Sequence, residues 1–182
     1  MQAIIELKVF AVSEIIGNHD VGIIMLSDKG ATMQIAVVCD KLMKEEIGLR
    51  LSKQKICNTL LPEVLVNVLK NQVGYSFELI INDIVDGVYR AMLINSETRQ
   101  SLSLRASDAI LLHLISDAPI YATNTLMQRQ AVPVVPGSPS MALPYNALSD
   151  DMLREALKSA VEQEKYEMAS TIRDELKRRG KL

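Results

Sequence analysis

Apolar and polar positions alternate in the first forty residues, and this pattern predicts strands. From Ile5 to Ala11 every second residue is apolar, as in a strand with one face on a core. Two further apolar runs, 21–26 and 33–38, flank the turn sequence Ser27-Asp-Lys-Gly30 and predict a hairpin.

Helical spacing of apolar residues then predicts two helices, over 41–51 and 59–70. In the second, Pro62 falls in the first turn, where proline is tolerated. The Asp86-Gly87 pair predicts a second hairpin from strands 77–85 and 88–94. The remaining pattern predicts a strand over 101–105, a helix opened by Ser107, an extended piece at 119–122 and a helical turn at 124–130. Together the elements predict an α+β fold with a mixed sheet and packed helices.

The amino-acid composition of the chain changes after residue 132. Four of the six prolines fall between 133 and 144, so we predict a semi-stiff, extended linker over 133–148 that holds the tail away from the main domain. The predicted organisation is an α+β domain over 1–132, this linker, and a helical hairpin over 149–182. Two short helices bury little apolar surface in each other, so we expect the hairpin to dock, most simply on a second copy, making a homo-oligomer.

Composition limits the kinds of partner. The net charge is −2 and the pI about 5.7, so any contact with nucleic acid has to be local. The aromatic fraction is 4%, which predicts an aliphatic core and few stacking platforms for bases. No secretion signal or membrane-length apolar stretch is recognisable, and Cys39 has the surroundings of a buried thiol, so we expect a cytoplasmic protein without a membrane partner.

The segment Arg105-Ala-Ser-Asp-Ala-Ile110 carries the strongest candidate chemistry. It joins an alternating strand to an apolar helix. Ser107 is the expected N-cap, Asp108 lies where the helix dipole favours a carboxylate, and Arg105 is one turn away to pair with it. These roles can be purely structural, and the sequence leaves that alternative open.

This segment resembles the Arg-Pro-Ser-Asp-Ala-Ile signature of the bifunctional nuclease family, with Ala106 in place of the proline. Asp86-Gly-Val-Tyr-Arg-Ala91 and Ala118-Pro-Ile-Tyr121 resemble two further family segments. The resemblance covers 1–132 and implies hydrolysis of phosphodiester bonds in DNA and RNA, with single-stranded nucleic acid as the expected substrate. Such chemistry commonly uses a divalent metal, Mg²⁺ or Mn²⁺, and a cation on the phosphoryl oxygens.

The carboxylates available for such chemistry, together with the best cation, give a set of candidate site residues, of which only Arg105 and Asp108 are carried over from the family motif. The candidate catalytic residues are Arg105, Ser107, Asp108 and Glu63, with Arg105 as the cation. The candidate metal ligands are Asp108, Asp83 and Asp86.

Three departures from the family pattern support an alternative function. Leu61-Pro62-Glu63 stands where the family carries Thr-His-Asp, Met43 lies near an expected glutamate (with Glu45 and Glu46 as displaced substitutes), and Ile115 replaces an expected arginine. His113 lies in an apolar helix, as a structural histidine does. The alternative is therefore a catalytically degenerate, nuclease-like scaffold.

The tail string from Glu164 to Lys177 resembles the UVR motif, the helical hairpin through which the excision-repair proteins UvrB and UvrC associate. The resemblance implies pairing with a UvrB-like, UvrC-like or protease-adaptor protein. The partner-binding candidates are Tyr166, Ala169, Ile172, Arg173 and Leu176.

Overall fold

The computed structural model describes residues 3–15, 18–134 and 145–181. Within these ranges eight strands form one mixed sheet, accompanied by six α-helices, which confirms the predicted fold class. The strands are β1 (Ile4–Ile15), β2 (Asn18–Asp28), β3 (Met33–Asp40), β4 (Phe77–Val85), β5 (Val88–Asn95), β6 (Ser101–Arg105), β7 (Ile120–Thr123) and β8 (Val132–Pro133). The helices are α1 (Lys41–Leu51), α2 (Leu61–Asn67), α3 (Ala106–Ser116), α4 (Asn124–Gln130), α5 (Asp150–Glu162) and α6 (Tyr166–Arg178).

The sheet has the strand order β6-β5-β4-β7-β1-β2-β3-β8. Two meanders, β1-β2-β3 and β4-β5-β6, are each built from antiparallel neighbours in sequence. Strand β7 lies between them, parallel to β4 and antiparallel to β1. The sheet is therefore assembled from two local units and a strand supplied later in the chain.

The sheet curls around α3. Five strands separate β6 from β3 in the sheet, yet Arg105 at the end of β6 lies 3.7 Å from Asp40 at the end of β3. The interior is aliphatic, as composition predicted, and each fully buried side chain contributes roughly 1.5–3 kcal/mol. The largest completely buried side chains of this part are Leu7, Ile24, Leu26, Ile35, Ile47, Leu79, Ile81, Ile110, Ile120 and Leu126.

The helix predicted over 59–70 lies at 61–72 and changes type along its length. A 3₁₀ turn covers Lys55–Thr59, α2 begins at Leu61, and a π-helical continuation covers Val68–Gln72. Pro62 stands at the start of α2, where its missing N–H costs no helical hydrogen bond. The apolar positions of this segment, which the periodicity marks as one face, are largely exposed.

The C-terminal hairpin buries its own apolar stripe. Ser149 caps α5 by accepting a hydrogen bond from the Met152 amide at 3.3 Å. A small core forms between α5, α6 and the residue just before them: Leu148, Leu153, Ala160, Ala169, Ile172 and Leu176. The hairpin therefore buries most of its apolar stripe without a second copy. No helix in the described ranges has both the length and the apolar character needed to cross a membrane.

Candidate functional site

The junction between β6 and α3 is built differently from its predicted form. Arg105 still has extended backbone (φ −68°, ψ 146°) and is itself the N-cap of α3. The helix begins at Ala106, so the prediction that Ser107 is the cap is wrong. Ser107 is the second helical residue and is 8% exposed. No described side chain caps α3, which leaves its first-turn N–H groups open to another acceptor.

Arg105 and Asp108 form a two-pronged ion pair. Nε donates to Oδ2 at 2.7 Å and Nη2 donates to Oδ1 at 2.9 Å. This hydrogen-bonded pairing raises the pKa of Arg105, so the guanidinium is charged at any physiological pH. The Arg105 side chain is 61% exposed, and such a pair stabilises the fold by no more than about 1 kcal/mol. Its clearer effect is to fix the direction of the guanidinium.

Asp40 is a second carboxylate at this junction, and the sequence analysis missed it. Its Oδ2 lies 3.7 Å from Nη1 of Arg105, while Oδ1 accepts the Met43 amide at 2.8 Å and caps α1. An aspartate directly before an amphipathic helix signals a cap. Its approach to Arg105 depends on the curl of the sheet, which no local pattern shows.

A cavity of about 310 Å³ opens beside Arg105. Its walls come from the end of β3, the start of β5, the start of α3 and the first turn of α5. The lining residues are Asp20, Val21, Val37, Val38, Cys39, Asp40, Gly87, Val88, Tyr89, Arg105, Ala106, Ser107, Ser149 and Met152. The nuclease-like domain and the tail therefore contribute to the same cavity.

The tail reaches the cavity because its root packs on the main domain. Ala147 is fully buried and belongs to the main hydrophobic core. The carbonyl oxygen of Leu148 approaches Gly87 so closely that a Cβ at that position would lie 2.3 Å from it. This contact contradicts the expectation that the tail is held away from the domain. Residues 135–144 of the predicted linker lie outside the described residues, and the domain bounds remain a prediction.

Arg179, just after α6, holds the root of the tail together. Its side chain is 0% exposed and donates to Glu175 at 2.7 Å, Asp150 at 3.1 Å and the Leu148 carbonyl at 2.8 Å. Hydrogen bonds from Arg178 and from Arg179 hold the pKa of Glu175 below its usual value. The tail is thus fastened at the place where it contacts Gly87.

Glu63 is not brought to this site. It pairs with Arg50 (Nη2 to Oε2, 3.0 Å) and lines another cavity with Leu114 and Ile115 near the end of α3. Asp108 lies in the first turn of that helix, about 10 Å away along its axis. Arg50 also pairs with Glu46, one of the substitutes proposed for the family glutamate.

The three candidate metal ligands also have different surroundings. Asp83 accepts a hydrogen bond from Arg129 at 2.8 Å, which lowers the pKa of Asp83, and Asp86 lies in the β4–β5 turn with φ 50°. Both oxygens of Asp108 are bonded to Arg105. Across the described ranges, no three His, Cys, Asp or Glu side chains are grouped so that they could hold a metal ion. In this arrangement the three carboxylates do not fit a metal site.

The partner-binding candidates divide into two groups. Ala169, Ile172 and Leu176 are buried within the hairpin, whereas Tyr166 is 67% exposed and the Arg173 side chain 51% exposed. Of these five candidates, only the latter two have exposed side chains. His113 has the structural role expected of it, since its Nδ1 lies 2.7 Å from the Ala118 carbonyl oxygen.

The fold and the site together define an α+β protein with an exposed arginine at the open N-terminus of a buried helix, a place suited to an anionic ligand. The family model of the bifunctional nuclease domain matches residues 24–135, more than half of the chain. The chain belongs to the bifunctional nuclease domain family. The match includes β6 and α3 and stops before the tail. No curated protein matches the chain.

Proposed function

We propose that this chain is a nuclease that binds a nucleic-acid phosphate at the start of α3 and hydrolyses the phosphodiester bond. One observation carries the proposal: the exposed guanidinium of Arg105 stands beside the uncapped first turn of α3 and opens onto a cavity. Helix N-termini and arginine are both recurrent phosphate-binding elements. Family membership supports the same class of reaction.

The groups at the junction have separate roles in the proposed hydrolysis. First-turn N–H groups and Arg105 would bind the non-bridging oxygens and stabilise the charge that builds on them in the transition state. Asp108 positions Arg105, and Asp40 is the carboxylate placed to orient the attacking water. The water oxygen forms the new bond to phosphorus as the bond between phosphorus and the leaving oxygen breaks, and Asp40 takes the proton that the water loses and returns it to the leaving oxygen. Dependence on Mg²⁺ or Mn²⁺ remains a prediction of the family resemblance, and no step here is assigned to a metal.

Single-stranded DNA or RNA is the substrate class that we propose. The chain carries a net charge of −2, so attraction to phosphate has to come from local positive groups, and Arg105 is the basic residue that lines this cavity. A backbone phosphate must enter a cavity of about 310 Å³ partly walled by α5. A flexible single strand can bend into such a space more readily than a duplex.

Arg105→Gln should lower the cleavage rate by about 100-fold or more, because it removes a charged donor from the phosphoryl oxygens. The assay is cleavage of single-stranded DNA and RNA by the full chain, with Mg²⁺, with Mn²⁺ and with a chelator. Arg99→Gln is the matched control, since Arg99 is 62% exposed and paired with Glu78 but precedes the other end of β6. Equal rates in the two variants, or no cleavage by the parent chain, would contradict the proposal.

A second candidate function is a scaffold without catalysis. It is favoured by Glu63, which stands in the altered Leu61-Pro62-Glu63 segment and is paired with the largely buried Arg50. In this alternative the UVR-like hairpin recruits a UvrB-like, UvrC-like or protease-adaptor protein through its exposed end. Tyr166 and Arg173 are the contact residues that we propose there.

Tyr166→Ser should weaken binding to a purified UvrB-type protein by roughly tenfold or more, because exposed aromatic anchors dominate small interfaces. The dissociation constant can be measured by calorimetric titration of the full chain. Phe10→Ser, at an aromatic residue 48% exposed on β1, is the control. Binding that is absent, or equal in both variants, would reject this role for the hairpin.

A further inference from the structure

The segment around α2 has its apolar side turned outward. Leu61 is 68% exposed, Val64 45%, Leu65 53% and Leu69 39%. Their spacing of three, four and eight residues places them on one helical face. Ile56, at 63%, and Val73, at 65%, extend the exposed apolar character to either side of that face. We call these six residues the α2 face.

Two charged side chains of the same segment bond to the domain. Glu63 bonds to Arg50, and Nζ of Lys70 donates to the Ser116 carbonyl at the end of α3. Val66 is the buried apolar residue of α2. A surface helix ordinarily has its apolar stripe on the core, whereas this segment exposes Leu61, Leu65 and Leu69.

An exposed aliphatic surface of this kind is a recognised mark of an interaction site. Six large aliphatic side chains exposed by 39% to 68% present apolar surface on the order of several hundred Å². A stable interface buries about 800 Å² on each partner and has an apolar centre with a polar rim. The α2 face is of the size required for such a centre.

We propose that the α2 face is the surface through which two copies of this chain associate. In a twofold interface the same patch meets itself, so any charge at its centre would face a like charge. The α2 face has no charged residue among its members, and it is therefore self-complementary. The described part of the hairpin exposes three large apolar side chains, Val161, Tyr166 and Met168, against six on the α2 face, and the rest of its apolar stripe is buried or partly buried in the hairpin core.

Pairing through α2 leaves the cavity beside Arg105 open. The segment lies against the C-terminal end of α3, where Lys70 reaches Ser116, whereas the cavity lies at the N-terminal end. The association is thus independent of the proposed nuclease site. A dimer would present two cavities.

Leu65→Glu in the full chain tests the proposal. The parent chain should sediment at twice the 20.2 kDa chain mass, and the variant should raise the dimer dissociation constant by roughly 100-fold, because each interface would bury two facing carboxylates. Leu102→Glu is the matched control, at a leucine 66% exposed on the edge strand β6. Both variants replace exposed side chains and should keep the melting temperature of the monomer.

Three outcomes would overturn the proposal. A parent chain that remains monomeric at micromolar to millimolar concentration would show that the α2 face does not pair with itself. Equal dissociation constants for Leu65→Glu and the parent would place the interface elsewhere. Dissociation by Tyr166→Ser with no effect of Leu65→Glu would assign self-association to the hairpin.

Discussion

Arg179→Met should release the C-terminal hairpin from the nuclease-like domain. The Arg179 side chain is fully buried and bonded to Glu175, Asp150 and the Leu148 carbonyl. Removal of one partner from a buried ion pair costs about 3–5 kcal/mol, because the remaining charges stay desolvated. The free energy of unfolding of the hairpin should fall by about this amount, with a smaller effect on the sheet.

Hydrogen exchange of backbone amides measures this loss segment by segment. Amides of α5 and α6 should exchange much faster in Arg179→Met, while those of β4 and β7 keep their protection. Arg178→Met is the matched control: the neighbouring arginine also pairs with Glu175, but it is 60% exposed, and it should cost less than about 1 kcal/mol. Equal effects of the two substitutions would show that burial of Arg179 does not hold the hairpin.

Gly87→Ala should detach the root of the tail while leaving the hairpin folded. Gly87 has φ +80°, and an added Cβ would lie 2.3 Å from the Leu148 carbonyl oxygen. Backbone atoms cannot yield as a flexible side chain does, so the contact has to open. Exchange should rise at the root of the tail and the start of α5, and remain slow in the middle of α6.

Gly74→Ala is the control that separates the effect of the Leu148 contact from the effect of backbone strain. Gly74 has a similar φ of +71°, and a methyl group added there would have no described atom within 4 Å. Both substitutions therefore share a cost of about 1–2 kcal/mol for the left-handed backbone, and only Gly87→Ala adds the collision. If the tail exchanges equally fast in both, the Gly87 contact does not hold it.

Both Arg179→Met and Gly87→Ala bear on function because the tail forms part of the cavity wall. Ser149 and Met152 line the cavity together with residues of β3 and α3. Under the proposed function, loss of this wall widens the entrance beside Arg105 and changes which nucleic acids reach it. The cleavage assay on single-stranded and duplex substrates would measure that change.

Local patterns predicted elements whose boundaries are set locally. Periodicity gave the bounds of α1, and the Asp86-Gly87 turn gave the pairing of β4 with β5. The first two strands are longer than predicted, because pairing with neighbours continues beyond the alternating stretch. The α2 region was predicted as one helix with an apolar face, and the structure shows a helix that passes into a π-helical turn and has most of that face exposed. Periodicity locates a face but does not determine what covers it.

The candidate site was predicted only in part, for the same reason. Arg105 and Asp108 are three residues apart on a helix start, and their pairing follows from that spacing. The prediction that Ser107 caps α3 was wrong because Arg105 keeps its extended backbone and its pairing with Arg90 on β5. The helix therefore starts directly after the last residue of the strand. Asp40 and Ser149 join the cavity through tertiary contacts distant in sequence, which no spacing rule reveals.

The position of β7 has a consequence for the folding rate. Each meander can form from neighbouring residues, but within the described strands β7 alone joins β4 to β1. Its pairing of Ile4 with Thr123 closes a loop of most of the domain, and such distant contacts form slowly. If β7 joins the meanders in the rate-limiting step, substitutions that weaken β7 should slow folding, as should those in a hairpin that forms before that step. The late arrival of this strand leaves the edges of both meanders open for a time, which makes the half-assembled sheet the stage most exposed to misassociation.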